Sequence, residues 1–456
     1  MSKHQIREIL PPTTRNFETR TRNLDEQIGY LNSQIAYIRS KADYADVIAS
    51  NSEYALFASL EALNRSDNSP CILLAGWYGA DNCGDELMMQ TVLEHLPESL
   101  LPNTTVLLWD NKDYSIAKID PRVKTLHYPF TTQGIQALAE LFDVVIWGGG
   151  AIIDDEQYSP SPMNHSTGNL LIRLSRRMLA QNKQVFCISL SSNGSIQNAE
   201  YIQELHTIIN GAQYFSLRDP YSLETLKSAG INTARVQLDS DIVFADEHLH
   251  ELAEQNRDAS RSITNKPIGL VLHCFDGLGD FNYQLVQDVI ALAGQTAGSK
   301  APEVMLIPFY NEFESDTTYL NELVDRLREE HPEVVLPRVM PYEDDLSRSP
   351  LLECGIVLSC RYHASLIAGC LGIPFVAICN DLHSHYPNKT KYLLDQFFPG
   401  TDAAAKLICV SDYSKEKLAA GIEAARTAAV SAQVIEELFT TEHTRLSDAL
   451  APLARK

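Results

Sequence analysis

Basic residues are scarce: 37 Lys plus Arg stand against 59 Asp plus Glu, a formal charge of −22 over 456 residues. A field of that sign repels phosphate backbones and anionic lipid, so nucleic acid is not expected as a partner. An anionic ligand would need a locally built cationic pocket. Long apolar runs are missing as well. None approaches the ~18 residues of a membrane-spanning helix, and the first twenty residues hold no apolar h-region, so neither a span nor a signal peptide is expected. The nine cysteines contain no CxxC pair, and several sit inside apolar runs such as CILLAG and VFCISL. That is the usage of small buried hydrophobes in a reducing cytosol, not of a disulfide framework or a zinc site. The chain is therefore expected to be cytoplasmic, with the inner membrane face as a peripheral alternative.

What is present is ordinary globular composition, 45% hydrophobic and 21% charged, with length for two to four domains. Residues 1–68 read as a helical arm. Leu24, Ile28, Leu31, Ile35 and Ile38 share one helical face, and a second helix from about Ser52 carries Tyr54, Phe57, Leu60 and Leu63. Two heptads fall short of a coiled coil, so packing on its own body is the simpler expectation; self-association into a homo-oligomer, or docking of a partner, is the functional one.

From Cys71 short apolar runs alternate with amphipathic ones: CILLAG, TVLLW, DVVIWGGG, QVFCISL and YFSLRD up to residue 219. A second series starts at Pro267 with PIGLVLHCF, EVMLIPFY, GIVLS, PFVAIC and KLICV. Such alternation predicts an α/β fold with parallel sheets covered on both faces. We expect two doubly wound, Rossmann-like domains at 69–246 and 266–410, a polar linker at 247–265 and C-terminal helices at 411–456. Ligands then belong in the central cleft, outside the carboxyl ends of the strands.

Five segments carry candidate chemistry. In GWYGADNCGDELMMQ, Gly76, Gly79 and Gly84 permit a tight turn and the helix from Glu86 offers backbone N–H groups to an anion. The loop is neither GxGxxG nor a P-loop. Asp85 is expected either to cap the helix or to act in the site, and Asn82, a neutral donor, to contact a ligand. In DVVIWGGGAIIDDE, Gly149 and Gly150 let another group approach closely, and Asp154 with Asp155 are either sugar-hydroxyl acceptors or solvated loop acids. In YFSLRDPYSLETL, Arg218 ends a strand and suits a phosphate or carboxylate, or else pairs with Asp219 at the surface.

The strongest segment is GIVLSCRYHASLIAGCLGIPFVAI. Arg361 and His363 stand two apart, so in extended chain both point to one side, and a helix from about Ala364 adds its positive end. Arg, imidazole and helix dipole together describe an anion site with a proton donor. Last, CNDLHSHYPNKTKYLL holds His383 and His385 beside Asp381, a weak metal pattern without a third ligand at characteristic spacing, so no metal is expected. Asn388, Lys389 and Lys391 lend positive potential to the cleft, with Lys389 taken as substrate-binding.

GADNCGDE, WGGGAIIDD, FSLRD with LKSAGI, LDSDIVFA and SCRYHASLIAGCLGIPFVAI, in that order over roughly 71–400, resemble the polysaccharide pyruvyl transferase family. This chain departs from the family where CNDLHSHYPNK replaces a stretch close to YDPK. The resemblance implies a two-domain GT-B-like fold and transfer of the enolpyruvyl unit of phosphoenolpyruvate onto a sugar, forming a pyruvate ketal and releasing phosphate. It implies no cofactor beyond phosphoenolpyruvate as donor. The acceptor is a free sugar, a nucleotide-sugar or a lipid-linked saccharide of a polysaccharide, such as an exopolysaccharide, or its precursor. Arg361 and Arg218 would hold carboxylate and phosphate, and His363, of the residue type that ordinarily titrates near neutrality, would be the acid. Asp85 or Asp154 would accept the hydroxyl proton. The rival enzyme is a GT-B glycosyltransferase using a nucleotide sugar, and the rival from another class is a non-catalytic scaffold working through the arm.

Overall fold

The computed structural model describes residues 69–109, 119–128, 132–155, 158, 166–257, 266–273, 278–296, 301–311, 315–381, 386–400 and 404–455. The helical arm expected at 1–68 and the His383–His385 pair lie outside these residues.

Strands and helices alternate from Ile72. The first lobe holds β1 (Ile72–Ala75), β2 (Thr104–Leu108), β3 (Lys124–His127), β4 (Val144–Ile153), β5 (Gln184–Ser192), β6 (Tyr214–Leu217) and β7 (Gln237–Leu238). Its helices are α1 (Cys83–His95), α2 (Thr132–Leu141), α3 (Thr167–Ala180), α4 (Ala199–Gly211), α5 (Pro220–Ser228) and α6 (Glu247–Arg257). The second lobe holds β8 (Ile268–Val271), β9 (Val304–Leu306), β10 (Arg338–Val339), β11 (Ile356–Ser359), β12 (Phe375–Cys379) and β13 (Leu407–Cys409). Between and after these run α7 (Gly279–Thr296), α8 (Asp316–Glu330), α9 (Tyr362–Cys370), α10 (Tyr386–Phe397), α11 (Lys415–Thr427) and α12 (Ala432–Leu450).

Both sheets are parallel throughout. The first runs β3-β2-β1-β4-β5-β6-β7 and the second β10-β9-β8-β11-β12-β13. The cause is in the strand sequences: ILLA, IVLS and FVAIC are buried at every position, which only a sheet covered on both faces permits. In each sheet the order reverses beside the first strand, between β1 and β4 and between β8 and β11. These are the switch points where the loops at the strands' carboxyl ends part and leave a crevice.

Edges explain most of what the sequence did not announce. β3, β7 and β10 (KTLH, QL and RV) are short strands at sheet margins. Half-covered, they need no apolar run. The segment expected to be a polar linker from 247 is a helix over its first half, because Leu249, Leu252 and Ala253 turn into the core while its charged residues face out. The lobes share one apolar cluster that includes Met88, Ile242 and Phe244 from the first, Ala364 and Phe397 from the second, and Leu446 of α12. α12 returns to the first lobe and packs on the turn at Ile242–Ala245. Among the described residues no helix is long and apolar enough to cross a membrane.

Candidate active site

The two switch points face each other and are stitched by backbone. Cys83 N–H donates to Phe309 O at 3.2 Å, Asn311 N–H donates to Asp81 O at 3.1 Å, and Asn82 bridges Tyr310. The loop after β1 is thereby fixed against the loop after β9. Asn82 is the N-cap of α1, its side chain making no capping bond, and the helix starts three residues earlier than the sequence suggested. Asp85 therefore lies inside the first turn and does not cap.

The glycine turn serves differently from the anion cradle that the sequence suggested. Gly79 N–H is taken, donating to Glu86 Oε1 at 2.7 Å, and Ala80 N–H donates to the same oxygen at 3.2 Å. Burial raises the Glu86 carboxyl to about 8, against the pull of these bonds. Gly84 provides space: the His363 imidazole occupies the position a Cβ there would need. Gly149 (φ +84°) likewise admits the Met88 sulfur, whereas Gly150 (φ +99°) faces Asp85, whose Oδ1 would lie 3.7 Å from a Cβ at that position.

Arg218 and His363 meet across the cleft. Arg218 Nη1 is 3.3 Å from His363 Nε2 and 2.6 Å from Asp241 Oδ2, which in turn lies 3.5 Å from the same imidazole nitrogen. The surface pairing of Arg218 with Asp219 does not form. Asp219 caps α5, accepting from Ser222 N–H at 2.7 Å, while Arg218 is buried under the Tyr362 ring with its carbon 4.8 Å from the ring centre. The Asp241 carboxyl is itself buried, and Arg218 and His363 hold it well below the usual carboxylate range against the cost of desolvation. Asp241 escaped the sequence reading although LDSDIVFA was noticed. The signal was a carboxylate beside four apolar residues, all now buried, which required a counter-charge.

Arg361 departs from the arrangement expected of it. α9 begins at Tyr362, so Arg361 is its extended N-cap and His363 already turns with the helix; the two side chains diverge. Arg361 Nη2 donates to Asp316 Oδ1 at 2.5 Å and its Nε to Leu272 O at 3.2 Å, and the guanidinium stands 5.6 Å from the centre of the Tyr310 ring. Asp316 was missed because at the head of a helix it resembled a cap; its other oxygen does accept from Phe309 and Tyr310 N–H, both at 2.9 Å.

Asp85 joins the two groups. It is buried, and desolvation raises it to about 6, while His363, Arg218 and Arg361 all pull it down. Asp155 is structural, accepting Gln197 and Asn198 N–H at the start of α4. Asp154 lies nearby, its N–H donating to Tyr201 Oη at 3.1 Å. It also acts electrostatically on Lys389 of α10, which is 6% exposed. Beside Arg361 opens a cavity of about 480 Å³ whose lining includes His273, Ser359, Tyr362, Asn380 and Thr390, with apolar walls from Leu278, Ile378 and Val410. Burial and then Arg361 hold the His273 imidazole down at about 3, so it is neutral there. His250, Glu254 and Glu436, the metal-capable grouping among the described residues, belong to α6 and α12 and share no residue with this site.

Known structures of similar architecture are sugar-nucleotide enzymes with the GT-B-like pairing of two Rossmann-like domains. The UDP-GlcNAc 2-epimerase of Methanocaldococcus jannaschii superposes with a TM-score of 0.51 at 10% identity, over 84% of this chain and 99% of that one. The UDP-N-acetylglucosamine 2-epimerase of Rickettsia bellii gives 0.50 at 9% identity, over 84% and 97%. No curated protein sequence matches the chain significantly. A family model does: the one described as polysaccharide pyruvyl transferase matches residues 82–381, from the N-cap of α1 past the end of β12, so the chain belongs to the polysaccharide pyruvyl transferase family.

Proposed function

We propose that the protein transfers the enolpyruvyl unit of phosphoenolpyruvate to two hydroxyls of a sugar, giving a pyruvate ketal and inorganic phosphate. The observation that carries this reading is the union of Arg218, His363 and Asp241 at the face of Asp85. A proton donor held between a guanidinium and a carboxylate matches a substrate that needs both anion binding and protonation at carbon.

His363 donates a proton to the methylene carbon, converting the alkene to a cationic centre at the adjacent carbon. Asp241 orients the imidazole and favours its charged form before transfer, the task of a buried carboxylate beside a catalytic histidine. Arg218 and Arg361 take the phosphate and carboxylate from opposite walls. A sugar hydroxyl attacks the cationic carbon and Asp85, placed between the cations, accepts its proton. The carbon–oxygen bond to phosphate breaks, phosphate leaves with a proton, and the second hydroxyl closes the ring. The cavity beside Arg361 receives the acceptor, with Asn380, Thr390 and neutral His273 able to bond hydroxyls.

Incubation with phosphoenolpyruvate and a panel of free, nucleotide-linked and lipid-linked sugars tests this directly. Phosphate release coupled to a product heavier by the pyruvate ketal is expected. Release of nucleoside diphosphate from nucleotide sugars, with phosphoenolpyruvate untouched, would establish the glycosyltransferase alternative instead.

A further inference from the structure

Both guanidiniums of the site already have carboxylate partners: Arg218 pairs with Asp241 at 2.6 Å and Arg361 with Asp316 at 2.5 Å. Phosphoenolpyruvate carries a carboxylate and a phosphate, close to three negative charges near neutrality. Two neutralised pairs do not balance that load. The lobes hold one further cation, on a side chain more than nine-tenths buried and, among the described residues, with neither a hydrogen bond nor an ion pair to its ammonium: Lys389, in the first turns of α10. A buried ammonium without a partner is costly, and a fold that retains one places it for a ligand.

We propose that Lys389 is the third cation of the donor pocket and takes up a proton as the trianionic donor enters. This rests on the donor reading above. The groups that act on Lys389 are Arg218 and Asp219 at the turn between β6 and α5, and Asp154 beyond β4. Around it, α9 contributes Tyr362 and His363, and α12 contributes the Glu442–Arg445 pair, 2.6 Å apart. Burial first and Arg218 next bring its amine down to about 7, against the opposing pull of Asp219 and Asp154. In the empty site the residue is therefore divided between neutral and charged forms. A phosphate beside it favours the ammonium, and the missing fraction of a proton comes from solvent. Its use as a binding cation also accounts for the lysine lying on the second lobe while its charged neighbours lie on the first: donor entry would draw the two together.

Calorimetric titration of phosphoenolpyruvate at pH 8, in two buffers of different ionisation enthalpy, reads the proton directly. Wild type is expected to bind with net uptake approaching one proton. Lys389→Met should lose that component of the uptake, weaken binding about thirtyfold or more and raise the donor KM in step, with turnover at saturating donor falling far less. Lys389→Arg, charged at every pH, should keep binding within a few-fold and lose the same proton; it carries the test if Lys389→Met does not fold. Wild-type affinity in Lys389→Met, undiminished uptake in Lys389→Arg, or a turnover defect with unchanged KM would each overturn the assignment alone. Absence of any phosphoenolpyruvate binding by wild type would bring down the donor reading and this inference together.

Discussion

The imidazole of His363, carried by the second lobe, fills the space that a Cβ on Gly84 of the first lobe would occupy. The position of the proton donor is thus set by the absence of a side chain on the opposite wall. Gly84→Ala should push the ring out of register with Arg218 and Asp241, and a shift of about 1 Å at a catalytic group costs on the order of 100-fold in turnover. Alanine favours a helix over glycine, so α1 itself should tolerate the change. Steady-state kinetics alongside circular dichroism checks this: a folded variant with wild-type turnover would show that the contact is not catalytic.

Asp85 supplies a pH dependence whose sign follows from its role. Its carboxyl is raised to about 6 by burial and must be ionised to accept a proton, so activity should climb as pH passes through about 6. Asp85→Asn should remove that acidic limb and lower turnover by about 10²–10⁴-fold, leaving donor affinity unchanged or better because a negative charge has gone. A pH–rate profile of both proteins decides it. Retention of the limb in Asp85→Asn would assign it to another group.

How far the sequence led can be judged residue by residue. Fully buried central strands such as ILLA and FVAIC were legible because burial on two faces forces an uninterrupted apolar run. Margin strands such as QL of β7 face no such demand and left no trace. Within the site, Arg218, Arg361, His363 and Asp85 stood out because strand ends and glycine turns mark where a crevice opens. Their carboxylate partners did not. Asp241 follows Arg218 by 23 residues and Asp316 precedes Arg361 by 45, separations over which only the folded crossovers bring charges together. Gly79 misled for the opposite reason, since the group that satisfies its N–H is a neighbour seven residues on whose carboxyl folds back into the turn.

Glu86 gives a stability prediction separate from catalysis. Its folded value of about 8 lies above the ordinary 4.5, so the protonated form favours the folded state. That contribution is complete below pH ~4.5 and is lost as pH rises towards 8, at up to about 1.4 kcal/mol per pH unit. Glu86→Gln keeps a carbonyl oxygen for Gly79 and Ala80 N–H and cannot ionise. Between pH 5 and 8 the variant's melting temperature should fall less steeply than that of wild type, with the two curves diverging most at the alkaline end. Parallel curves would show that the carboxyl is not protonated in the folded protein.

Asp241 tests whether one carboxylate serves both stability and chemistry. It is buried between Arg218 and His363 with its folded value depressed below the ordinary range, so its contribution is present above pH ~4 and disappears as pH falls further. Asp241→Asn leaves the Arg218 guanidinium buried without its counter-charge, a change that costs about 3–5 kcal/mol when a buried pair loses one partner. The same substitution removes the negative charge that favours protonated His363, so turnover should fall and the alkaline limb of the pH–rate profile should move to lower pH, because the imidazolium gives up its proton sooner. The acidic limb, assigned to Asp85, should move the other way by less or not at all, since Asp241 acts on Asp85 as a like charge and its loss makes Asp85 easier to ionise. Added phosphoenolpyruvate should recover part of the lost stability, because its anionic groups return negative charge to Arg218. An Asp241→Asn protein as stable as wild type, with an unmoved alkaline limb, would detach this carboxylate from both roles and leave His363 without the group argued to hold its proton.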